Sequence, residues 1–143
     1  MIRPAGPDDR STVRTLQSIL DHRAPALLEA AFDTGVGDLL VATDGESVVG
    51  YALAVPGSDD GVAYLAELVV AGGVRREGYG RRLVERLCER YGSTASLDQL
   101  RVTVAAADDG ARAFYTALGF WELDRIEDRF DGEDGVLLLR RLS

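Results

Sequence analysis

A Val- and Leu-rich stretch at residues 62–70 runs through a turn holding glycines at 72, 73, 78 and 80 and straight into a helix, with no linker between them. Leu83, Val84, Leu87, Cys88 and Tyr91 recur at helical spacing and give that helix one apolar face. Such a strand needs sheet neighbours and such a helix needs a covered face, so the pattern points to a sheet packed under helices.

The rest of the chain alternates in the same way. Residues 1–5 read as a short strand. Gly6-Pro7-Asp8-Asp9 then start a helix, with proline near the first helical position, acids in the first turn, and Val13, Leu16, Ile19 and Leu20 as the apolar stripe. A second helix is expected over Pro25 to Phe32, ended by Thr34-Gly35 and Gly37. Segments 38–43, 47–55 and 62–70 read as strands. They are separated by Asp44-Gly45-Glu46 and by Pro56-Gly57-Ser58-Asp59-Asp60-Gly61, which predicts an antiparallel meander. A strand at about 100–105, a helix at about 109–118 closed by Gly119, and strands near 120–130 and 135–142 complete an α/β (α+β) pattern. A chain of 143 residues hides roughly two thirds of its unfolded surface, enough for one core, so a single domain over residues 1–143 is expected.

All 16 basic residues are Arg, against 24 Asp and Glu, for a net charge of −8. Without lysine there is no Schiff-base amine, P-loop lysine or amine base, which removes many enzyme classes. The acidity also argues against nucleic acid as a partner, because that affinity depends on neutralising phosphates. No apolar run approaches the ~20 residues that span a bilayer, so no membrane partner is expected. The lone Cys88 falls on the apolar helix face and reads as a buried structural thiol. With no signal-like N-terminal stretch, a cytoplasmic setting is expected. The one histidine, His22, sits in the polar stretch Asp21-His22-Arg23 and reads as a surface residue. No metal site is expected.

The glycine turn is the chemically suggestive segment. Glycines admit anion oxygens to backbone N–H groups, and a helix N-terminus adds about half a positive charge. Residues 75–90 also hold six Arg and three Glu, a basic island in an acidic chain. These observations favour a phosphate ligand over a plain solvated helix face with ion pairs such as Arg81 with Glu85. A dinucleotide fingerprint would need glycine where Leu83 stands, and a Walker A loop would need lysine, so both are rejected.

Arg75-Arg76-Glu77-Gly78-Tyr79-Gly80, read as Arg-x-x-Gly-x-Gly, resembles the pyrophosphate loop of the GNAT superfamily of acyl-CoA-dependent N-acetyltransferases. The opening strand before Pro7-Asp8-Asp9, the strand Glu67-Leu68-Val69-Val70, and Ala111-Arg112-Ala113-Phe114-Tyr115 before Leu118-Gly119-Phe120 follow in the family's order. The resemblance implies a bent, mixed, mostly antiparallel sheet of six to seven strands covered by about four helices, with central strands that splay to admit acetyl-CoA. It implies that the backbone of Val74, Arg75, Arg76, Gly78, Tyr79 and Gly80, next to Arg81, holds the pyrophosphate. Leu68, Val69 and Val70 would pair with the pantetheine amides. Two departures stand out: Gly72 replaces a common proline, loosening the turn, and Asp108 replaces a common asparagine near the pantetheine.

The reaction implied is direct transfer of an acetyl group from acetyl-CoA to a primary amine in a ternary complex. An attacking amine loses a proton, charge develops on the carbonyl oxygen, and a thiolate leaves. Glu67 is the candidate proton acceptor, directly or through water, and its alternative role is a strand carboxylate at the surface or paired to a helix. The N–H of Val69 or Val70 is the candidate donor to the carbonyl oxygen. Tyr115, resembling the family's helix tyrosine, is the candidate acid for the thiolate, against a plain core role shared with Phe114 and Leu118. The competing class is a non-catalytic acyl-CoA-binding regulatory or interaction module of the same fold.

Residues 1–70 hold eleven acids and four Arg, whereas residues 71–143 are nearly balanced. This predicts a cationic acceptor, a small-molecule or peptide amine, with Asp21, Glu29 and Asp33 setting the field, unless the acidity only serves solubility in a high-salt cytoplasm. An edge strand over Val136 to Leu139 would give a second copy a place to pair as a homodimer.

Overall fold

The computed structural model of the chain describes residues 1–57, 61–94 and 96–142; Ser58-Asp59-Asp60 of the second expected turn lie outside them. Seven strands form one sheet: β1 (Ile2–Pro4), β2 (Asp38–Asp44), β3 (Ser47–Pro56), β4 (Gly61–Val70), β5 (Leu97–Ala105), β6 (Trp121–Phe130) and β7 (Glu133–Arg141). Their order is β1-β2-β3-β4-β5-β7-β6, and every neighbouring pair is antiparallel except β4 with β5. Four helices cover the sheet: α1 (Arg10–Gln17), α2 (Pro25–Thr34), α3 (Tyr79–Gly92) and α4 (Asp109–Ala117). The expected mixed, mostly antiparallel architecture and the β2–β3–β4 meander are therefore present.

The two faces of the sheet bury two separate apolar clusters. Leu39, Val41, Tyr51, Leu53 and Val69 meet Val13, Leu16 and Leu28 of α1 and α2. Leu40, Ala52, Ala54, Ala63 and Leu65 meet Leu83, Val84 and Leu87 of α3 and Tyr115 of α4. Residues with opposite parity thus face opposite helices, as strand geometry requires.

On β4 that parity switches. Leu53 pairs with Glu67 and Ala54 with Leu65, which leaves Ala66 as the extra residue of a β-bulge. Ala63 and Leu65 face α3 before the bulge, while Leu68 and Val70 face it afterwards. Glu67 and Val69 are thereby turned toward α1.

The parallel pairing of β4 and β5 ends at Tyr64 and Arg101. Past that point Leu65–Val70 and Val102–Ala105 have no mutual hydrogen bonds, so the sheet opens in its middle. The backbone donors and acceptors along this opening make it the natural place for a ligand that pairs with a strand.

Two expectations need correction. The stripe assigned to the first helix outruns it: Pro7–Asp9 is a 3-10 turn, α1 ends at Gln17, and Ser18, Ile19 and Leu20 make i→i−3 bonds to Thr15, Leu16 and Gln17. Ile19 is consequently 45% exposed. Asp9 holds β1 to this turn by accepting from the Gly6 N–H and the Arg3 guanidinium, each at 2.7 Å. Residues 135–142 are not an edge, because β7 lies between β5 and β6 with Val136, Leu138 and Leu139 buried. The edge is β6, whose Glu122, Asp124, Arg125 and Glu127 are exposed, as suits a strand that should not pair with another chain.

Candidate active site

Three clefts join along the sheet opening. The central one, about 670 Å³, lies between Leu65–Leu68 of β4 and Val102–Ala105 of β5 and is also lined by Asp108, Tyr115, Arg75 and the α1–α2 loop. At one end it meets a cleft of about 470 Å³ formed by Val70, Arg75, Arg76, Gly78, Tyr79, Gly80 and Arg81 against Phe114, Ala117 and Leu118 of α4. Arg75 lines both. At the other end it continues into a third cleft of about 670 Å³, sharing Asp21, His22, Leu65, Ala66, Thr103 and Phe130 and adding Arg129 and Asp131.

The glycine turn shapes the first end. Gly78 precedes α3 with φ 85°, in the left-handed region where a side chain would be strained, and Arg76 adopts φ 71°. The helix begins without a side-chain cap, and among the described residues nothing accepts from the N–H groups of Tyr79, Gly80 or Arg81. These free donors, the helix dipole and three guanidiniums make this end attractive to an anion. Arg82 lies 4.6 Å over the Tyr79 ring and donates to the Glu77 carbonyl, which ties the turn to the first helical turn. Val74 is partly buried against the α3-side core, so only its backbone faces the turn.

The open edge of β4 also has a definite polarity. Ala71 N–H donates to the Val49 carbonyl, and Arg75 Nε donates to the Val70 carbonyl at 3.4 Å. Alternation along the strand therefore aims the amides of Leu68 and Val70 into the opening and that of Val69 at β3. Val69 is buried on the opposite face and lines none of the clefts. Of the two candidate donors to a carbonyl oxygen, Val69 is thus turned away and Val70 lines the cleft at the glycine turn, while Leu68, which was not a candidate for that role, lines the same cleft as Tyr115.

Glu67 is neither on the surface nor free. It is 4% exposed, and its carboxylate accepts from Gln17 Nε2 at 3.0 and 3.1 Å, from the Tyr51 hydroxyl at 2.9 Å and from the Ala24 N–H at 2.7 Å. Burial and the neighbouring carboxylate charge push the Tyr51 hydroxyl well above its ordinary pKa, so it remains a donor. Tyr115 is 6% exposed, with its ring edge-on to Phe114 and Phe120. Its hydroxyl has no hydrogen-bond partner among the described residues, and burial, then the charge of Asp108, raise its pKa. The plain core role and a site at the cleft wall are thus both visible in one residue. Asp108 caps α4, with Oδ1 accepting from the Ala111 N–H at 3.0 Å, and lines the central cleft.

The acidic field is differently placed than charge counting predicts. Glu29 accepts from Arg14 and Arg10, and Asp33 from Arg10, forming an ion cluster across α1 and α2 that lines none of these clefts. The hydrogen bonds from Arg14 and Arg10 hold the Glu29 carboxyl down at about 2. Asp21 does line the central and third clefts, joined there by Glu133 and Asp131. His22, expected as an unremarkable surface residue, stacks 4.8 Å from the Phe130 ring across the cleft mouth. Phe130, Asp131 and Glu133 had no signal in the sequence, because they reach the site from a hairpin distant along the chain, whereas Phe114, expected as a core partner of Tyr115, lines the cleft at the glycine turn.

Among the described residues no group of His, Cys, Asp or Glu could hold a metal, and no helix is long and apolar enough to cross a membrane. Cys88 is buried, and its thiol is pushed up to about 11, mainly by burial.

Comparison with known proteins bears on this arrangement. The sequence model of the Acetyltransferase (GNAT) family matches residues 10–120. No curated protein matches the chain by sequence. Among solved structures, the ribosomal-protein-S18-alanine N-acetyltransferase from Escherichia coli superimposes with a TM-score of 0.86 at 20% identity, covering 100% of this chain and 94% of that one. NAA60 from Arabidopsis thaliana, solved with a bisubstrate analogue, gives 0.88 at 15% identity over 99% and 97% of the two chains. A chimera of the Vibrio cholerae spermidine N-acetyltransferase SpeG gives 0.84 at 14% identity over 99% and 95%. At these identities the likeness is one of fold.

Proposed function

Since the chain belongs to the GNAT acetyltransferase family, we propose that it moves an acetyl group from acetyl-CoA to a primary amine in a ternary complex. The observation that carries this reading is the continuous channel through the sheet opening, with an anion-attracting end at residues 75–81 and an end bearing Asp21, Asp131 and Glu133. Two substrates entering from opposite ends would meet beside Tyr115.

Acetyl-CoA supplies an activated thioester and a diphosphate. In this reading the free amides of Tyr79, Gly80 and Arg81, with Arg75 and Arg76, hold the diphosphate, and the outward amide of Val70 and the carbonyl of Leu68 pair with the pantetheine arm. The Leu68 N–H, directed into the central cleft, steadies charge developing on the carbonyl oxygen. Tyr115, kept protonated by burial, donates to the departing sulfur. The two oxygens of Glu67 already accept four hydrogen bonds, two from Gln17 and one each from Tyr51 and Ala24, so the amine proton passes to water in the wide cleft instead.

The acceptor class is a cationic amine drawn by Asp21, Asp131 and Glu133. The names of the structural neighbours span a ribosomal-protein alanine and spermidine, and both classes present such an amine. A thermal melt with millimolar acetyl-CoA and a thiol-release assay across spermidine, an alanine-initiated peptide and free amino acids test the proposal. A raised melting temperature with thiol release for one amine is the expected result. No thermal shift overturns the cofactor reading, and a shift without release for any amine favours a binding module.

A further inference from the structure

We propose that Glu67 is a positioning residue for the acceptor, whose carboxylate fixes the α1–α2 loop as a wall of the central cleft. The bracing rests on geometry alone; its consequence for an acceptor rests on the acetyltransferase reading.

Glu67 gathers donors from three separate elements: Gln17 on α1, Tyr51 on β3 and the backbone of Ala24 just before α2. Between them runs the loop of residues 18–24, which carries Asp21 and His22 into the clefts. Asp21, His22 and Arg23 are exposed, so little apolar burial holds them in place. After the Leu20 N–H bond to Gln17, the Ala24 N–H bond to Glu67 is the next backbone tie among the described residues, and it anchors the loop to the sheet. The Ala66 bulge makes this possible by turning Glu67 toward α1; without it the carboxylate would face the apolar α3 side. A buried carboxylate with every acceptor position filled is a rigid joint, and removing it strands the buried Gln17 and Tyr51 donors and the half-buried Ala24 N–H.

The test compares Glu67→Ala, Glu67→Gln and Gln17→Ala by acetyl-CoA affinity, acceptor KM, kcat against pH, and amide hydrogen exchange. Exchange at residues 18–24 should rise at least about tenfold in Glu67→Ala, with α3 unchanged, because the lost bonds are charge-assisted. Acceptor KM should rise by a similar factor while acetyl-CoA affinity holds. Glu67→Gln, which can still accept from Ala24 while the Gln17 amide and the Tyr51 hydroxyl turn to suit, should recover most of the lost acceptor affinity. If Glu67→Ala does not fold, Gln17→Ala reads the same loop exchange and KM with the carboxylate in place. Loss of kcat in Glu67→Gln together with the acidic limb of the pH profile would make Glu67 a proton acceptor and overturn the proposal. Unchanged loop exchange, or a lower melting temperature with unchanged acceptor KM, would overturn it too. Should wild type acetylate no amine, the functional reading fails on its own and the exchange comparison still decides the brace.

Discussion

Gly50 on β3 lies so close to β4 that a Cβ at this position would stand 2.7 Å from the Val69 carbonyl oxygen and 3.4 Å from the Val70 Cα. Both contacts are backbone, so neither can swing aside. Gly50→Ala must push apart the two strands just where β4 borders the cofactor end. It should cost about 1–3 kcal/mol in chemical denaturation, in the range of overpacked cores, and weaken acetyl-CoA binding by calorimetry.

Tyr115→Phe keeps the ring packed on Phe114 and Phe120 and removes a hydroxyl that no described residue uses. Stability and acetyl-CoA affinity should stay near wild type while kcat falls by about 10²-fold, the usual weight of one acid group. A kcat within twofold of wild type would remove Tyr115 from the mechanism.

Gly72 opens the short 3-10 turn Gly72–Val74, and a Cβ there would meet nothing within 4 Å. The preceding Ala71 is extended, at φ −57° and ψ 142°, as a residue before proline must be. Gly72→Pro should therefore stabilise the protein by about 0.4–1 kcal/mol through the unfolded chain, and raise its melting temperature by about 2 °C. Acetyl-CoA binding would be retained or tightened.

Glu29 is held at about 2 against an ordinary 4.5, and Arg10 likewise lowers Asp33. A carboxyl with a depressed native pKa stabilises the fold above its unfolded pKa and stops doing so as pH falls through the native one. Melting temperature should thus drop between about pH 4.5 and 2 as the α1–α2 ion cluster protonates. Glu29→Gln should show a shallower decline over that window, with the two curves converging near pH 2.

What the sequence determined by itself was local. Periodicity located the strands and the apolar faces of α3 and α4 to within a few residues, because a half-buried element must repeat its apolar side chains at its own geometric period. The glycines at 78 and 80 beside clustered arginines marked the turn proposed to hold an anion, because a left-handed residue and free helix donors are backbone properties carried by short segments. The end of α1 and the order of β6 and β7 were not legible, since helix fraying and strand partnership depend on neighbours distant in sequence. Only the tertiary structure decided which acids line the clefts. Glu29 and Asp33 are consumed by Arg10 and Arg14, while Asp131 and Glu133 arrive at the cleft from the far hairpin. It also decided the orientation of Glu67. One bulged residue, Ala66, turns that carboxylate from the α3 face to the α1 face, and a register shift of this kind is set by pairing with β3 and leaves no mark in the sequence of β4.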